Sequence, residues 1–138
     1  MDYPYINFWA VLVSAFAFWG LGALWYSPFL FGRRWQKEVG MTKEVAKKTN
    51  MFMLMGLSML LMLFMTWALN FMINSHKAED VTMWSGVMYG VFTGFFFSML
   101  TIGINYLYQR RSLVLWLIDG LYAVIGMGIA GLILAVWR

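Results

Sequence analysis

Four long apolar runs constrain this chain more than any other feature of its sequence. They cover about residues 6–27, 51–74, 82–106 and 113–137 of the 138. Runs of about 20 apolar residues match the thickness of a bilayer core. Backbone groups in hydrocarbon must be satisfied internally, so runs of this length predict helices, whereas barrel strands would be near ten residues. The sequence therefore predicts an all-α membrane protein, a single transmembrane domain over residues 1–138 folded as an antiparallel four-helix bundle.

The composition excludes other classes of protein. The chain is 62% hydrophobic and 12% charged, whereas soluble domains have about 25% charged residues. With no cysteine and one histidine, we expect no metal site and no cofactor. The chain has 13 methionines, and those of the second run scatter around the helix, which favours apolar filling over copper(I) binding. We see no metal-ligand set and no nucleophile–base pair, and therefore nominate no catalytic residue.

The distribution of basic residues predicts the orientation. Eight of the ten lysines and arginines fall in loop 31–50 or in the turn after the third run, while Lys77 and Arg138 fall at the opposite end. The positive-inside rule then places both termini outside, Asp2 with them, and makes loop 31–50 a cytoplasmic basic loop of a multi-pass inner-membrane protein. Basic residues that flank spans favour anionic lipid headgroups over nucleic acid as partners. The arginines expected to meet these headgroups are Arg33, Arg34, Arg110 and Arg111.

Small and polar residues form a stripe along the third helix. At about 100° per residue, steps of three and four place them on one face. Small residues at this spacing let another helix approach closely in a membrane. The partner is either another helix of the same chain, which is the commoner case, or a second copy in a homo-oligomer. The stripe consists of Gly86, Gly90, Gly94, Ser98, Thr101 and Asn105.

Asp119 is the one acidic residue inside an apolar run. It lies about seven residues, or roughly 10 Å, from the start of the fourth helix. An ionised carboxylate at this depth costs about 2.5 kcal/mol or more, so it should face protein or water and have a partner. Folding the chain back at Arg110 brings Thr101 close to the depth of Asp119 and Asn105 one turn nearer the cytoplasm, and both can hydrogen-bond a carboxyl group.

Two hypotheses compete for Asp119. In the first, it is a structural acid that fixes helix register, locked by Asn105, by Tyr26 or Tyr122, or by an arginine from the loops. In the second, it is a proton or cation site that opens to the cytoplasm. A weaker polar set at the other end, Thr66, Asn70 and Asn74 with Asn7 and Ser14, predicts either an outward vestibule or, more commonly, interhelical hydrogen bonds.

Two motifs resemble a known family. The first is Gly22-Ala23-Leu24-Trp25-Tyr26-Ser27-Pro28 with Phe31-Gly32 and Trp35, and the second is Leu117-Ile118-Asp119-Gly120 with Tyr122. Both are similar to the small membrane proteins grouped as domain of unknown function 1761. The resemblance covers essentially the whole chain and implies about four helices and no known activity. It also implies that the two motifs meet in the cytoplasmic half of the membrane.

These observations predict an inner-leaflet polar pocket. Our leading hypothesis is a small-molecule or ion carrier, or a binding protein, with Asp119 as its titrating or cation-binding group. Four helices enclose little room, so transport would favour an oligomer. The alternatives are a non-catalytic scaffold or accessory subunit and, less favoured, a lipid-modifying membrane enzyme. The predicted pocket residues are Asp119, Asn105, Thr101, Tyr26, Trp25, Ser27 and Tyr122.

Overall fold

The computed structural model describes residues 6–138, so Asp2 lies outside the described residues. Within this part of the chain, four helices are long and apolar enough to cross a membrane. The first span is Phe8–Trp25, the second is Met51–Asn74, the third is Met83–Tyr108 and the fourth is Leu113–Val136. No strand occurs between residues 6 and 138. The predicted all-α architecture with four membrane-spanning helices is confirmed.

Each span begins at a residue whose side chain accepts backbone N–H groups. Asn7 accepts from Trp9 and Ala10, and Asn50 accepts from Met53. Thr82 forms a reciprocal capping box with Ser85, and Ser112 caps the fourth span by accepting from Leu115. Such caps satisfy amide donors that have no partner within the helix. The polar residues between the apolar runs therefore fix where the helices start.

The fourth span is the centre of the bundle. In an apolar stretch of 18 residues within it, 50% of the residues are buried, compared with 11% in the corresponding stretch of the second span. It packs against the first, second and third spans. The second span contributes its buried residues only from Thr66 onward, and its first half is exposed. The basic loop contains two short helices, Gly32–Val39 and Lys43–Lys48, and the end of the bundle that carries it is called the basic end below.

The glycines of the third span pack directly on the fourth span. A Cβ atom added to Gly90 would lie 2.0 Å from the carbonyl oxygen of Met127, and one added to Gly86 would lie 2.4 Å from that of Gly131. A Cβ on Gly94 would lie 2.8 Å from the Cα of Val124. This face of the third span is thus covered within the chain. A homo-oligomer would have to use another surface.

A π-helical turn, Gly94–Met99, interrupts the third span. A π-turn takes up about one more residue than an α-turn, so every residue beyond it faces a direction shifted by about one position. The face that continues from Gly90 and Gly94 toward the fourth span therefore passes through Met99, Gly103 and Tyr106. The sequence pattern, read as one continuous α-helix, predicted Ser98, Thr101 and Asn105 there.

Candidate functional site

Asp119 lies where the first, third and fourth spans meet at the basic end. Its side chain is partly buried, and each carboxylate oxygen accepts a hydrogen bond from a tyrosine. The hydroxyl of Tyr26, at the end of the first span, donates to Oδ1 at 2.6 Å. The hydroxyl of Tyr106, in the third span, donates to Oδ2. One carboxylate thus connects three spans.

The directions of the side chains explain why these two tyrosines reach Asp119. A helical side chain tilts toward the N-terminus of its helix. The first and third spans run toward the basic end, so Tyr26 and Tyr106 lean deeper into the bundle. The fourth span runs away from that end, so Asp119 leans toward it. Tyr106 was not among the predicted pocket residues, and side-chain tilt combined with the helix phase is the signal that could have found it.

Aromatic residues surround the carboxylate and bond to backbone carbonyls. The Trp25 indole N–H donates to the carbonyl of Ile118 at 3.0 Å. The Tyr122 hydroxyl donates to the carbonyl of Phe18 at 3.1 Å, and its ring lies 5.3 Å from that of Tyr26. The two sequence motifs that carry the family resemblance therefore meet in the structure. Tyr122 contributes its ring to this cluster, while its hydroxyl bonds elsewhere.

Of the predicted pocket residues, only Tyr26 hydrogen-bonds to Asp119, and three others, Thr101, Ser27 and Asn105, contribute neither a bond nor an aromatic ring to the cluster. The hydroxyl of Thr101 bonds to the carbonyl of Phe97 in its own helix at 2.5 Å, and that of Ser27 bonds to Leu24 at 2.6 Å. The side chain of Asn105 is exposed. The expected bonds from Thr101 and Asn105 are absent because the π-turn rotates Tyr106 to the position that an uninterrupted α-helix would give to Asn105.

Asp119 has no cationic partner among the described residues. Within residues 6–138 the ion pairs are Arg34 with Glu38 and Lys77 with Glu79, and Asp119 belongs to neither. Two hydroxyl donors stabilise the ionised carboxylate, and the same pair can adjust to a proton, since a carboxylic acid keeps one acceptor oxygen and gains a donor. The described residues contain no group of three or more histidine, cysteine, aspartate or glutamate side chains that could hold a metal ion.

Interhelical hydrogen bonds account for much of the polar set at the opposite end. Thr66 donates to the carbonyl of Val11 at 3.3 Å, and Ser14 donates to that of Ala130 at 3.5 Å. Within the second span, Asn74 donates to Asn70 at 3.0 Å, and the guanidinium of Arg138 donates to Asn74 at 3.1 Å. The side chain of Asn7 donates to the carbonyl of Trp137 at 3.4 Å, which places the start of the first span beside the end of the fourth.

Comparisons with known proteins agree with the resemblance in the sequence. The family model described as protein of unknown function (DUF1761) matches residues 9–135, which is nearly the whole chain. Neither the comparison with curated proteins nor that with solved structures finds a match.

Proposed function

This chain belongs to the DUF1761 family, and we propose that it is a small-molecule or ion carrier, or a binding protein, in which Asp119 takes up and releases a proton or a small cation. We further propose that the basic end faces the cytoplasm, since most lysines and arginines lie there. The site would then open toward the cytoplasmic leaflet of the inner membrane.

The observation that carries this proposal is the environment of Asp119. The carboxylate lies within a membrane-spanning helix, is bonded to two tyrosine hydroxyls and takes part in neither ion pair of residues 6–138. Ionisable residues inside membranes are costly and mark ion or proton pathways in many carriers. A proton is the simplest ligand for this site, because its binding requires no cavity.

Protonation would change how the spans are connected. The ionised carboxylate accepts from Tyr26 and Tyr106 simultaneously. Once one oxygen carries a proton, the carboxyl group loses its charge, and the tyrosine facing that oxygen can turn or become the acceptor. Hydrogen bonds to a neutral group are weaker than those to a charged one, so uptake of a proton would weaken the connection of the first or the third span to the fourth. A carrier needs such a coupling between ligand occupancy and helix packing.

The same geometry also supports a second candidate, a scaffold or accessory subunit. A carboxylate that bridges three spans can serve only to fix their register, as buried polar groups do in other proteins. The two functions differ in what loss of the charge does. A scaffold loses stability, whereas a carrier loses flux while its fold persists.

The test is flux into liposomes that contain the purified full chain. A proton gradient drives uptake of a panel of cationic and neutral fluorophores, with wild type, Asp119→Asn and Asp80→Asn measured side by side. Asp80→Asn is the matched control, because it makes the same substitution at an exposed residue outside the spans. Thermal unfolding and gel filtration report whether each variant is folded.

We expect gradient-driven uptake by wild type and Asp80→Asn and its loss in folded Asp119→Asn. An infrared difference spectrum between high and low pH should show a protonated carboxylic acid in wild type that Asp119→Asn lacks. No uptake by any folded variant, together with no such acid signal, would reject the carrier in favour of the scaffold. Turnover of lipid by the purified protein would instead support the third alternative, a membrane enzyme.

A further inference from the structure

A groove opens between the third and fourth spans at the basic end. Its volume is about 630 Å³, within the range of roughly 300–1,000 Å³ typical of ligand sites. Its walls are mainly apolar, and its polar residues lie beside the turn that joins the two spans. The walls include Ile104, Leu107, Leu113 and Trp116, and the polar end includes Arg111 and Ser112.

The groove is built by the π-turn and by one glycine. Gly103 lies opposite Trp116, and a Cβ atom on this glycine would come within 2.7 Å of the indole nitrogen. The indole N–H donates to the carbonyl of Met99, within the π-turn, at 2.8 Å. This bond fixes the orientation of the Trp116 ring, which lines the groove. Leu107, at 79% exposed, leaves the groove open to the surrounding lipid.

The polar end of the groove carries a positive charge. Arg111 is exposed, and neither of the ion pairs within residues 6–138 includes it. The nearby carboxylate of Glu38 already binds Arg34 at 2.8 Å and accepts the Ser112 hydroxyl, so its own charge is compensated. The groove therefore combines a guanidinium at the membrane surface with an apolar channel that runs inward.

We propose that this groove binds one anionic phospholipid. The phosphate would lie against the guanidinium of Arg111, and one acyl chain would lie along Ile104, Leu107 and Trp116. Guanidinium groups recognise phosphate with two parallel hydrogen bonds, and anionic lipids of the cytoplasmic leaflet are attracted to basic residues beside a span. A zwitterionic lipid of the same chain length carries the same phosphate, but its cationic headgroup offsets that charge and is repelled by Arg111, so it should bind more weakly.

This site goes beyond the proposed function and does not require Asp119 to titrate. Its connection to Asp119 is the ring of Tyr106, which lines the groove while its hydroxyl bonds to the carboxylate. A bound lipid would thus hold Tyr106 in place from the side facing the membrane.

The experiment is native mass spectrometry of the full chain, delipidated in detergent and titrated with phosphatidylglycerol or phosphatidylcholine of identical acyl chains. The variants are Arg111→Gln, Arg110→Gln and Ile104→Trp. Arg110→Gln is the matched control, because it removes the same charge from the same turn but does not line the groove. Ile104→Trp fills the channel while keeping Arg111. Soluble glycerol phosphate, added as a competitor, separates binding of a free phosphate from binding of a lipid.

We expect one phosphatidylglycerol to bind in preference to phosphatidylcholine, and Arg111→Gln to lower the affinity for phosphatidylglycerol about tenfold, because the charge-assisted hydrogen bonds from the guanidinium to the phosphate are lost. Arg110→Gln should have a clearly smaller effect. Ile104→Trp should abolish the single bound lipid, and glycerol phosphate should not displace it. Equal effects of Arg110→Gln and Arg111→Gln, or undiminished binding to Ile104→Trp, would overturn the proposal, as would displacement by glycerol phosphate.

Discussion

Asp119 connects the first, third and fourth spans through the hydroxyls of Tyr26 and Tyr106. At the scale of single residues, this contact joins the first span to two spans that are far from it in the sequence. Replacing either tyrosine with phenylalanine keeps the aromatic ring and removes only the hydroxyl donor. The contribution of the hydroxyl to stability can therefore be measured separately from that of the ring.

We expect Tyr106→Phe to lower the free energy of unfolding by about 1 kcal/mol, since interhelical hydrogen bonds in membranes contribute roughly 0.6 and at most about 1.7 kcal/mol. Equilibrium unfolding in mixed micelles measures this. Tyr108→Phe is the control, because Tyr108 is exposed at the end of the same span. Equal losses for the two variants would show that the bond to Asp119 does not stabilise the fold.

Glu38 gives a prediction about pH outside the spans. The hydrogen bond from Ser112, and then the charge of Arg34, hold the pKa of Glu38 below its ordinary value of 4.5, although partial desolvation opposes this. A lowered pKa means that the stabilisation that ionised Glu38 contributes to the docking of helix Gly32–Val39 on the start of the fourth span is fully present above about pH 4.5. This contribution is lost as the pH falls through the lowered pKa.

The measurement is an NMR titration of the Glu38 carboxyl carbon. We expect Ser112→Ala to raise the pKa of Glu38 toward its ordinary value, because the bond that favours the charged form is removed. Ser75→Ala should leave the titration unchanged, since the hydroxyl of Ser75 bonds only to Met72 in its own helix. An unchanged titration in Ser112→Ala would mean that the serine does not hold the carboxylate.

At the scale of helices, the contact between the third and fourth spans depends on glycine. We expect Gly90→Ala to destabilise the protein by about 1–3 kcal/mol, because its Cβ would lie 2.0 Å from a carbonyl oxygen of the fourth span. Gly56→Ala, in the second span, has open space around it and should leave stability unchanged or slightly raised. Unfolding of both variants in the same micelles is the comparison, and matching stabilities would contradict the close packing.

The π-turn of the third span predicts a tolerated deletion. Removing Phe96, which is exposed within the turn, should convert it to an α-helical turn and leave Tyr106 facing Asp119, because the extra residue is what the turn accommodates. Deleting Val87 from the α-helical part should instead turn Gly86 away from the fourth span. We expect the Phe96 deletion to unfold at nearly the same denaturant concentration as wild type and the Val87 deletion to give no folded protein. The reverse result would show that the π-turn does not shift the later residues of the span by one position.

At the scale of the whole molecule, the fourth span is surrounded by the other three, and the second span lies at the periphery. The start of the first span lies beside the end of the fourth, so the described parts of both termini share one end of the bundle. The side itself is a prediction from charge.

We expect single cysteines to report this orientation directly, since the chain has none of its own. Lys77→Cys should react with a membrane-impermeant maleimide added to intact cells. Lys47→Cys should react only after the membrane is opened. Both residues are exposed, so accessibility within the protein is matched. Labelling in the opposite pattern would show that the bundle has the opposite orientation in the membrane.

The sequence alone predicted the membrane environment, the number of spans and Asp119 as the central residue of the candidate site. Hydropathy over about 20 residues is a local property, so it can be recognised without the fold. Asp119 stood out because a charge in an apolar run is costly wherever the run is placed. The pairing of Trp25 and Tyr26 with the fourth span followed from depth and from the family motifs.

Only the tertiary structure decided which side chains bond to Asp119. A single π-turn moves every later residue of the third span by about one position, so Tyr106 replaces Asn105 and Thr101 turns outward. Such a turn depends on packing against the fourth span. There the Trp116 indole donates to the carbonyl of Met99, and Gly94 lets the backbone of the fourth span approach closely because it has no side chain. Helical periodicity assumes a constant rotation per residue, and one irregular turn breaks that assumption for all that follows it.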